Sequence, residues 1–165
     1  MTTDQPETPY QQLERRFKRL AALGEAEAVL HWDMSAMMPV GGAEARAEQL
    51  AELKAVQHGL LTAPEIGDLL EAAKDRAEAE GGLKGWQPAN LHQMQRRWTK
   101  ATALSEDLVV ALSKACSVCE TIWRTARADD DFEAVRPALE EVLSLTREAA
   151  AAKAEKQGLS LYDAL

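Results

Sequence analysis

The chain of 165 residues has few cysteines, few aromatic residues and no long apolar run. Two cysteines are too few for a disulfide scaffold and are typical of a reducing compartment, so we expect a cytoplasmic protein. The first residues lack the apolar core of a signal peptide, and no run approaches the length that spans a bilayer. We therefore expect no membrane partner.

Motifs that carry chemistry are also missing. The sequence contains no H-E-x-x-H arrangement, no G-x-S-x-G and no glycine-rich phosphate loop. We therefore expect no catalytic residue, no metal ligand and no cofactor among these residues, and the sequence leaves open whether the protein is an enzyme.

A net charge of −8 disfavours binding to nucleic acid, because an acidic surface repels phosphate groups. Two basic clusters are the exception, and we interpret both as solvated helix faces, so we expect no nucleic-acid partner. Their members are Arg15, Arg16, Lys18 and Arg19, then Arg96, Arg97 and Lys100.

What the sequence does contain is helix-forming residues with helical spacing. It predicts an all-α array of about six to seven helices with antiparallel neighbours and no sheet. Residues 1–9 are predicted to be disordered. The predicted helices run from Tyr10 to Met38, from Ala43 to Leu61, from a capping box at Thr62, from Pro88, from an N-cap at Ser105 to Ala128, and finally to a C-cap at Gly158.

Cys116 and Cys119 form a single C-x-x-C. A zinc site usually needs a second such pair, and there is none. Both thiols fall on the predicted apolar stripe of the helix that starts at Ser105, where cysteine behaves as a small apolar residue. The stripe comprises Leu108, Leu112, Ala115, Cys116, Cys119, Ile122, Trp123 and Ala126. We predict core packing, and a metal or redox role is the alternative.

His31 and Asp33 are the polar residues with the most unusual setting. The segment from Ala28 to Met38 is apolar almost all round, which predicts a buried helix. Residues two apart do not face each other on a helix, so each side chain needs its own partner. Either they belong to a hydrogen-bonded core network, or they face a functional cleft. His58 and His92 lie on polar faces, and we predict ordinary exposed histidines there.

Several blocks of this sequence resemble the N-terminal region of the carboxypeptidase Taq family of zinc metallocarboxypeptidases. The most specific blocks are His31-Trp32-Asp33-Met34, Met38-Pro39, Gly41-Gly42-Ala43-Glu44-Ala45-Arg46 and Glu48-Gln49-Leu50. Looser matches are 60–65, 96–102, 126–132 and 160–165, so the resemblance covers essentially the whole chain.

The resemblance implies a mostly helical, usually homodimeric enzyme that removes C-terminal residues from peptides. In that family zinc is held by the two histidines of H-E-x-x-H and a downstream glutamate, and none of these maps onto this chain. Residues 10–165 are therefore expected to be the helical N-terminal region, ending before the zinc-binding part and inactive alone, with His31 and Asp33 near the peptide cleft. The apolar segment Leu159–Leu165 is expected to begin a further element.

Two other interpretations remain open. In the first, the chain is a stand-alone helical module that dimerises or binds a protein partner through an exposed apolar face at Ala28–Met38. In the second, it is an independent zinc or redox protein that uses Cys116 and Cys119.

Overall fold

The computed structural model describes residues 6–79 and 81–165, apart from the side chain of Val40. Within these described residues six α-helices follow one another: α1 (Pro9–Ala36), α2 (Ala43–Thr62), α3 (Pro64–Ala79), α4 (Gln87–Ala101), α5 (Glu106–Ala128) and α6 (Phe132–Gln157), with a 3-10 turn (Val40–Gly42) before α2. No strand occurs in the described residues, and the predicted all-α class is confirmed. None of the described helices is long and apolar enough to cross a membrane.

Side-chain caps fix several helix ends. Thr8 forms a capping box with Gln11, so α1 begins at Pro9, one residue before the predicted start. The predicted disorder of residues 1–5 lies outside the described residues. Ser105 caps α5 by accepting a hydrogen bond from Leu108 N, and Gly158 ends α6 with a φ of 66°, both as predicted. The predicted cap at Thr62 is wrong, because its hydroxyl donates to the carbonyl of His58 within α2.

The first core lies between α1, α3 and α4. Its buried members on α1 are Tyr10, Leu13, Phe17 and Leu20, and they meet Ile66, Leu70, Ala73, Leu91 and Met94. Gly67 allows close packing here, because a Cβ atom at this position would lie 3.0 Å from Cζ2 of Trp98. This core holds the N-terminal half of α1 in place.

A second group of packed helices has α5 at its centre, and α5 packs mainly against α2 and α6. Small buried residues such as Ala47, Ala51 and Ala149 let these helices approach closely. The predicted α5 stripe is largely wrong: only Leu108 and Ala126 of it are buried. Its other members lie partly or fully exposed, and the third buried residue of α5, Ser117, does not belong to the stripe.

The predicted burial of Ala28–Met38 is also wrong. Met34 is buried, but Val29, Trp32 and Met37 are 62%, 62% and 69% exposed. Hydrogen bonds from Arg46 of α2 and Arg124 of α5 reach the backbone of this part of α1, while these three apolar side chains stay exposed. The apolar face predicted for the stand-alone module consists of these exposed residues.

The last described residues form a capped turn rather than an extended tail. Ser160 Oγ accepts a hydrogen bond from Asp163 N at 3.2 Å, and Ser160 O accepts one from Ala164 N at 3.1 Å. Ala164 is fully buried, so this turn is seated on the helices.

Candidate functional site

A buried glutamate organises the polar groups between α1 and α2. Glu27 is 8% exposed, and its Oε1 lies 2.7 Å from Lys54 Nζ while its Oε2 accepts a hydrogen bond of 2.9 Å from Gln57 Nε2. His31, one helical turn further along α1, places Nε2 3.4 Å from Oε1. Burial raises the pKa of Glu27, but the hydrogen bonds from Lys54 and Gln57 and the nearby positive charges outweigh it, so the net pKa is lowered. Glu27 is therefore a carboxylate at neutral pH.

Asp33 has a separate partner, Arg46 of α2. Arg46 Nη2 lies 2.6 Å from Asp33 Oδ2, and Arg46 Nη1 donates to the carbonyl of Leu30 at 2.7 Å. Arg46 Nε also donates to Gln49 Oε1, so its guanidinium is held on three sides. Since His31 and Asp33 bond to different residues, the prediction that they form no dyad is confirmed.

Arg124 of α5 binds the C-terminal end of α1. Its Nη1 donates to the carbonyl of Met34, and its Nη2 donates to Ser35 Oγ at 3.1 Å and to Glu120 Oε1. The last carbonyls of a helix lack partners within the helix and carry partial negative charge, so a cation is favourable there. Arg46 and Arg124 together fix the position of this end of α1.

A cavity of about 370 Å³ opens beside the Glu27 network. Glu27, His31 and Lys54 form one side, and α5 supplies most of the remaining wall. The lining residues of α5 and its neighbours are Leu104, Leu108, Val109, Leu112, Ser113, Cys116, Ser117, Glu120 and Ala149. The structure thus brings His31 and Cys116 to one cavity, and Asp33 is not part of its lining.

Cys116 is exposed and Cys119 is half-buried, so the predicted core packing of Cys116 is wrong. Partial burial raises the pKa of the Cys116 thiol, and Cys119 and Glu120 add to this effect. A thiol with a raised pKa is a poor nucleophile and a poor metal ligand at neutral pH. The exposed position follows from the open wall of the cavity, which the sequence pattern did not reveal.

The donor set does not fit a zinc ion. Both oxygens of Glu27 already hold Lys54 and Gln57, and the thiol of Cys116 stays protonated near neutral pH. In the described part of the chain, no three or more His, Cys, Asp or Glu side chains group as metal ligands. His92 lies exposed on α4, as predicted, whereas His58 on α2 is half-buried, so the predicted exposure of His58 is wrong. Neither histidine lines the cavity.

Sequence reasoning missed Glu27, Lys54, Arg46 and Arg124. The spacing of four residues between Glu27 and His31 was a usable signal, because such residues are neighbours on a helix surface. Arg46 belongs to one of the sequence blocks that resemble the family. Nothing in the sequence, however, indicated that Arg46 pairs with Asp33 or that Arg124 binds the end of α1.

Comparison with known proteins gives consistent matches. The family described as Carboxypeptidase Taq (M32) metallopeptidase matches residues 12–165. Thermostable carboxypeptidase 1 of Thermus thermophilus is 34% identical over 145 residues, which are 88% of this chain and 28% of that protein. Among solved structures, metallocarboxypeptidase 1 of Trypanosoma cruzi has a TM-score of 0.72 at 35% identity, over 95% of this chain and 31% of that one.

A carboxypeptidase of Deinococcus radiodurans has a TM-score of 0.67 at 33% identity, over 90% of this chain and 29% of that one. The chain thus spans less than a third of the length of these relatives. Both the sequence match and the fold match extend over nearly all of its residues. The chain belongs to the carboxypeptidase Taq family of metallopeptidases.

Proposed function

We propose that this chain is the N-terminal helical portion of a zinc metallocarboxypeptidase that removes C-terminal residues from peptides, and that these residues alone are not catalytic. The observation that carries the proposal is the family match over residues 12–165, combined with a span of only 28% of the Thermus thermophilus relative. The absence of H-E-x-x-H from these 165 residues supports the second part.

In the complete enzyme, these helices contribute a rigid wall to the peptide cleft. His31 is the residue that faces the cleft, since its side chain is exposed and turns toward the cavity beside α5. Asp33 is a positioning residue: it acts through Arg46, which also holds the carbonyl of Leu30 and thereby the end of α1. Peptides are the partners of this surface, and the free thiols of Cys116 and Cys119 favour a cytoplasmic location.

A second candidate is a helical module that forms homodimers or binds a protein partner. The observation that favours it is the exposed apolar face at the C-terminal end of α1, which comprises Val29, Trp32 and the C-cap residue Met37. Large exposed apolar residues grouped on one face are typical of protein interfaces.

The first experiment measures zinc content and carboxypeptidase activity of the purified chain on a blocked dipeptide. We expect neither zinc nor activity. In parallel, this chain replaces the matched region of the Thermus thermophilus enzyme, and we expect that chimera to hold zinc and to cleave the substrate. Stoichiometric zinc on the isolated chain contradicts the proposal and makes Cys116, Cys119 and His31 the residues to mutate. A folded, zinc-loaded chimera without activity also contradicts it.

The dimer candidate is tested by sedimentation of the isolated chain. Trp32→Glu is expected to convert a dimer to a monomer, because a charge on the α1 face opposes its burial. Trp86→Glu is the matched control, since Trp86 is also exposed but lies before α4, outside this face. A chain that is monomeric at every concentration removes the candidate.

A further inference from the structure

Two basic clusters that are far apart in the sequence meet in the folded protein. Phe17 lies on α1 between Arg16 and Lys18, and the guanidinium carbon of Arg97 on α4 lies 5.3 Å from the centre of the Phe17 ring. This contact brings the cations of α4 beside those of α1. We call the joined surface the α1–α4 basic face and define it by Arg16, Lys18, Arg19, Arg96, Arg97 and Lys100.

Most cations of this face lack a counter-charge. On other helices several cations are paired, for example Lys114 with Glu48 at 2.7 Å. Between the described residues, no ion pair involves the following members of the face: Arg16, Lys18, Arg19, Arg96 and Arg97. Arg96 and Lys100 also stand four residues apart, a spacing at which like charges repel on a helix. A bound anion would relieve this repulsion.

The positive charge continues onto α6. Burial lowers the pKa of the Lys153 amine, and the charge of nearby Lys100 lowers it further. Lys100 itself donates to the oxygen of Leu165 at 3.1 Å. Cations of three helices thus border one surface, and none of them lines the cavity beside α5. The basic face is therefore separate from the surface proposed above for peptides.

The geometry of this face fits a chain of phosphate groups. Arg19, Arg96 and Arg97 are exposed on two different helices, so a ligand that contacts all three must extend across both. The planar guanidinium group presents two N–H donors side by side to a phosphate. A phosphate chain carries its charges in the chain itself, whereas an acidic polypeptide must order long side chains to present its carboxylates.

Nucleic acid fits the face less well than a chain of phosphates alone. Proteins that hold single strands gain affinity when bases stack on exposed aromatic rings. The ring at the centre of this face, Phe17, is only 8% exposed and lies beneath Arg97. The bases would find no open ring there, so recognition rests on the phosphates.

We propose that the α1–α4 basic face binds inorganic polyphosphate, and that its arginines contact the phosphate oxygens. This binding is additional to the proposed peptidase role and does not depend on it. Because the attraction is electrostatic, the affinity falls as the salt concentration rises.

The test measures binding of end-labelled inorganic polyphosphate to the chain by fluorescence anisotropy at several salt concentrations. The double variant Arg19→Glu with Arg96→Glu reverses two exposed cations, one on each helix. We expect its affinity to fall at least about tenfold, and the slope of log Kd against log salt to decrease by about two, one for each lost phosphate contact. The matched control, Arg136→Glu with Arg147→Glu, changes the net charge equally at exposed positions of α6. We expect it to retain the affinity within about twofold.

Arg19→Gln with Arg96→Gln removes the two charges without adding acid, and it replaces the reversal if that variant does not fold; its affinity should also fall. Equal losses in these variants and in the α6 control overturn the inference, because net charge alone would explain them. No binding of polyphosphate at low salt overturns it as well. Single-stranded DNA or polyglutamate that binds as tightly as polyphosphate of equal charge assigns the face to a different partner, and this result also overturns it.

Discussion

Replacement of Arg46 by alanine tests whether the end of α1 is held as the structure indicates. The Arg46 side chain is 14% exposed and that of Asp33 is 33% exposed. Hydrogen bonds to charged groups contribute about 1.5–3 kcal/mol, and loss of one partner from a buried ion pair costs roughly 3–5 kcal/mol. Since water partly screens Asp33, we expect Arg46→Ala to lower the free energy of unfolding by about 2 kcal/mol. Urea unfolding followed by circular dichroism measures this as a midpoint shift of about 1 M.

The matched control is Arg136→Ala on α6. Arg136 and Glu133 form an ion pair of equal length, 2.6 Å, but their side chains are 53% and 71% exposed. We expect this control to change the free energy of unfolding by less than about 0.5 kcal/mol. Arg46→Lys keeps the charge but loses the two-pronged contact, so its effect should lie between the other two. Equal effects of Arg46→Ala and Arg136→Ala would refute the reasoning.

Two further predictions concern the buried Glu27 and two glycines within helices. The lowered pKa of Glu27 stabilises the fold above its ordinary value of 4.5, and this contribution is lost as the pH falls through the folded-state pKa. Glu27→Gln should therefore show a weaker loss of stability below about pH 4.5 than the wild type in acid unfolding, and parallel curves would contradict this prediction. Gly67→Ala should lower the free energy of unfolding by about 1–2 kcal/mol, because the added Cβ atom meets the Trp98 ring. Gly24→Ala should raise the free energy of unfolding by roughly 0.5–1 kcal/mol, because no atom lies within 4 Å of the added Cβ and alanine favours helix. Thermal unfolding measures both variants, and a change of the same sign in the two would refute the packing argument.

Helix ends were predictable wherever the signal was local. Ser105 and Gly158 act as the sequence indicates, because capping depends on a few neighbouring backbone groups. Thr62 shows the limit of such signals. Its hydroxyl has a competing acceptor one turn back, the carbonyl of His58, and the sequence alone does not decide between the two.

The candidate site was predictable only in part. His31 and Asp33 stood out as polar residues in an apolar segment, and they do hold separate partners. Their partners come from other helices: Arg46 lies 13 residues beyond Asp33 along the chain, and Arg124 reaches Ser35 across 89 residues. No helical period encodes such contacts, so Arg124 gave no signal in the sequence.

The sequence by itself determined the all-α class, the extent of most helices and the family resemblance, because these depend on residue type and on spacing within single segments. The tertiary structure alone decided which apolar surface is buried. Cys116 and Trp32 both looked like core residues, and both are exposed. An apolar stripe indicates that a helix packs against a partner, but which residues become buried depends on how helices remote in sequence pack together. On α5, only Leu108 and Ala126 of the predicted stripe are buried.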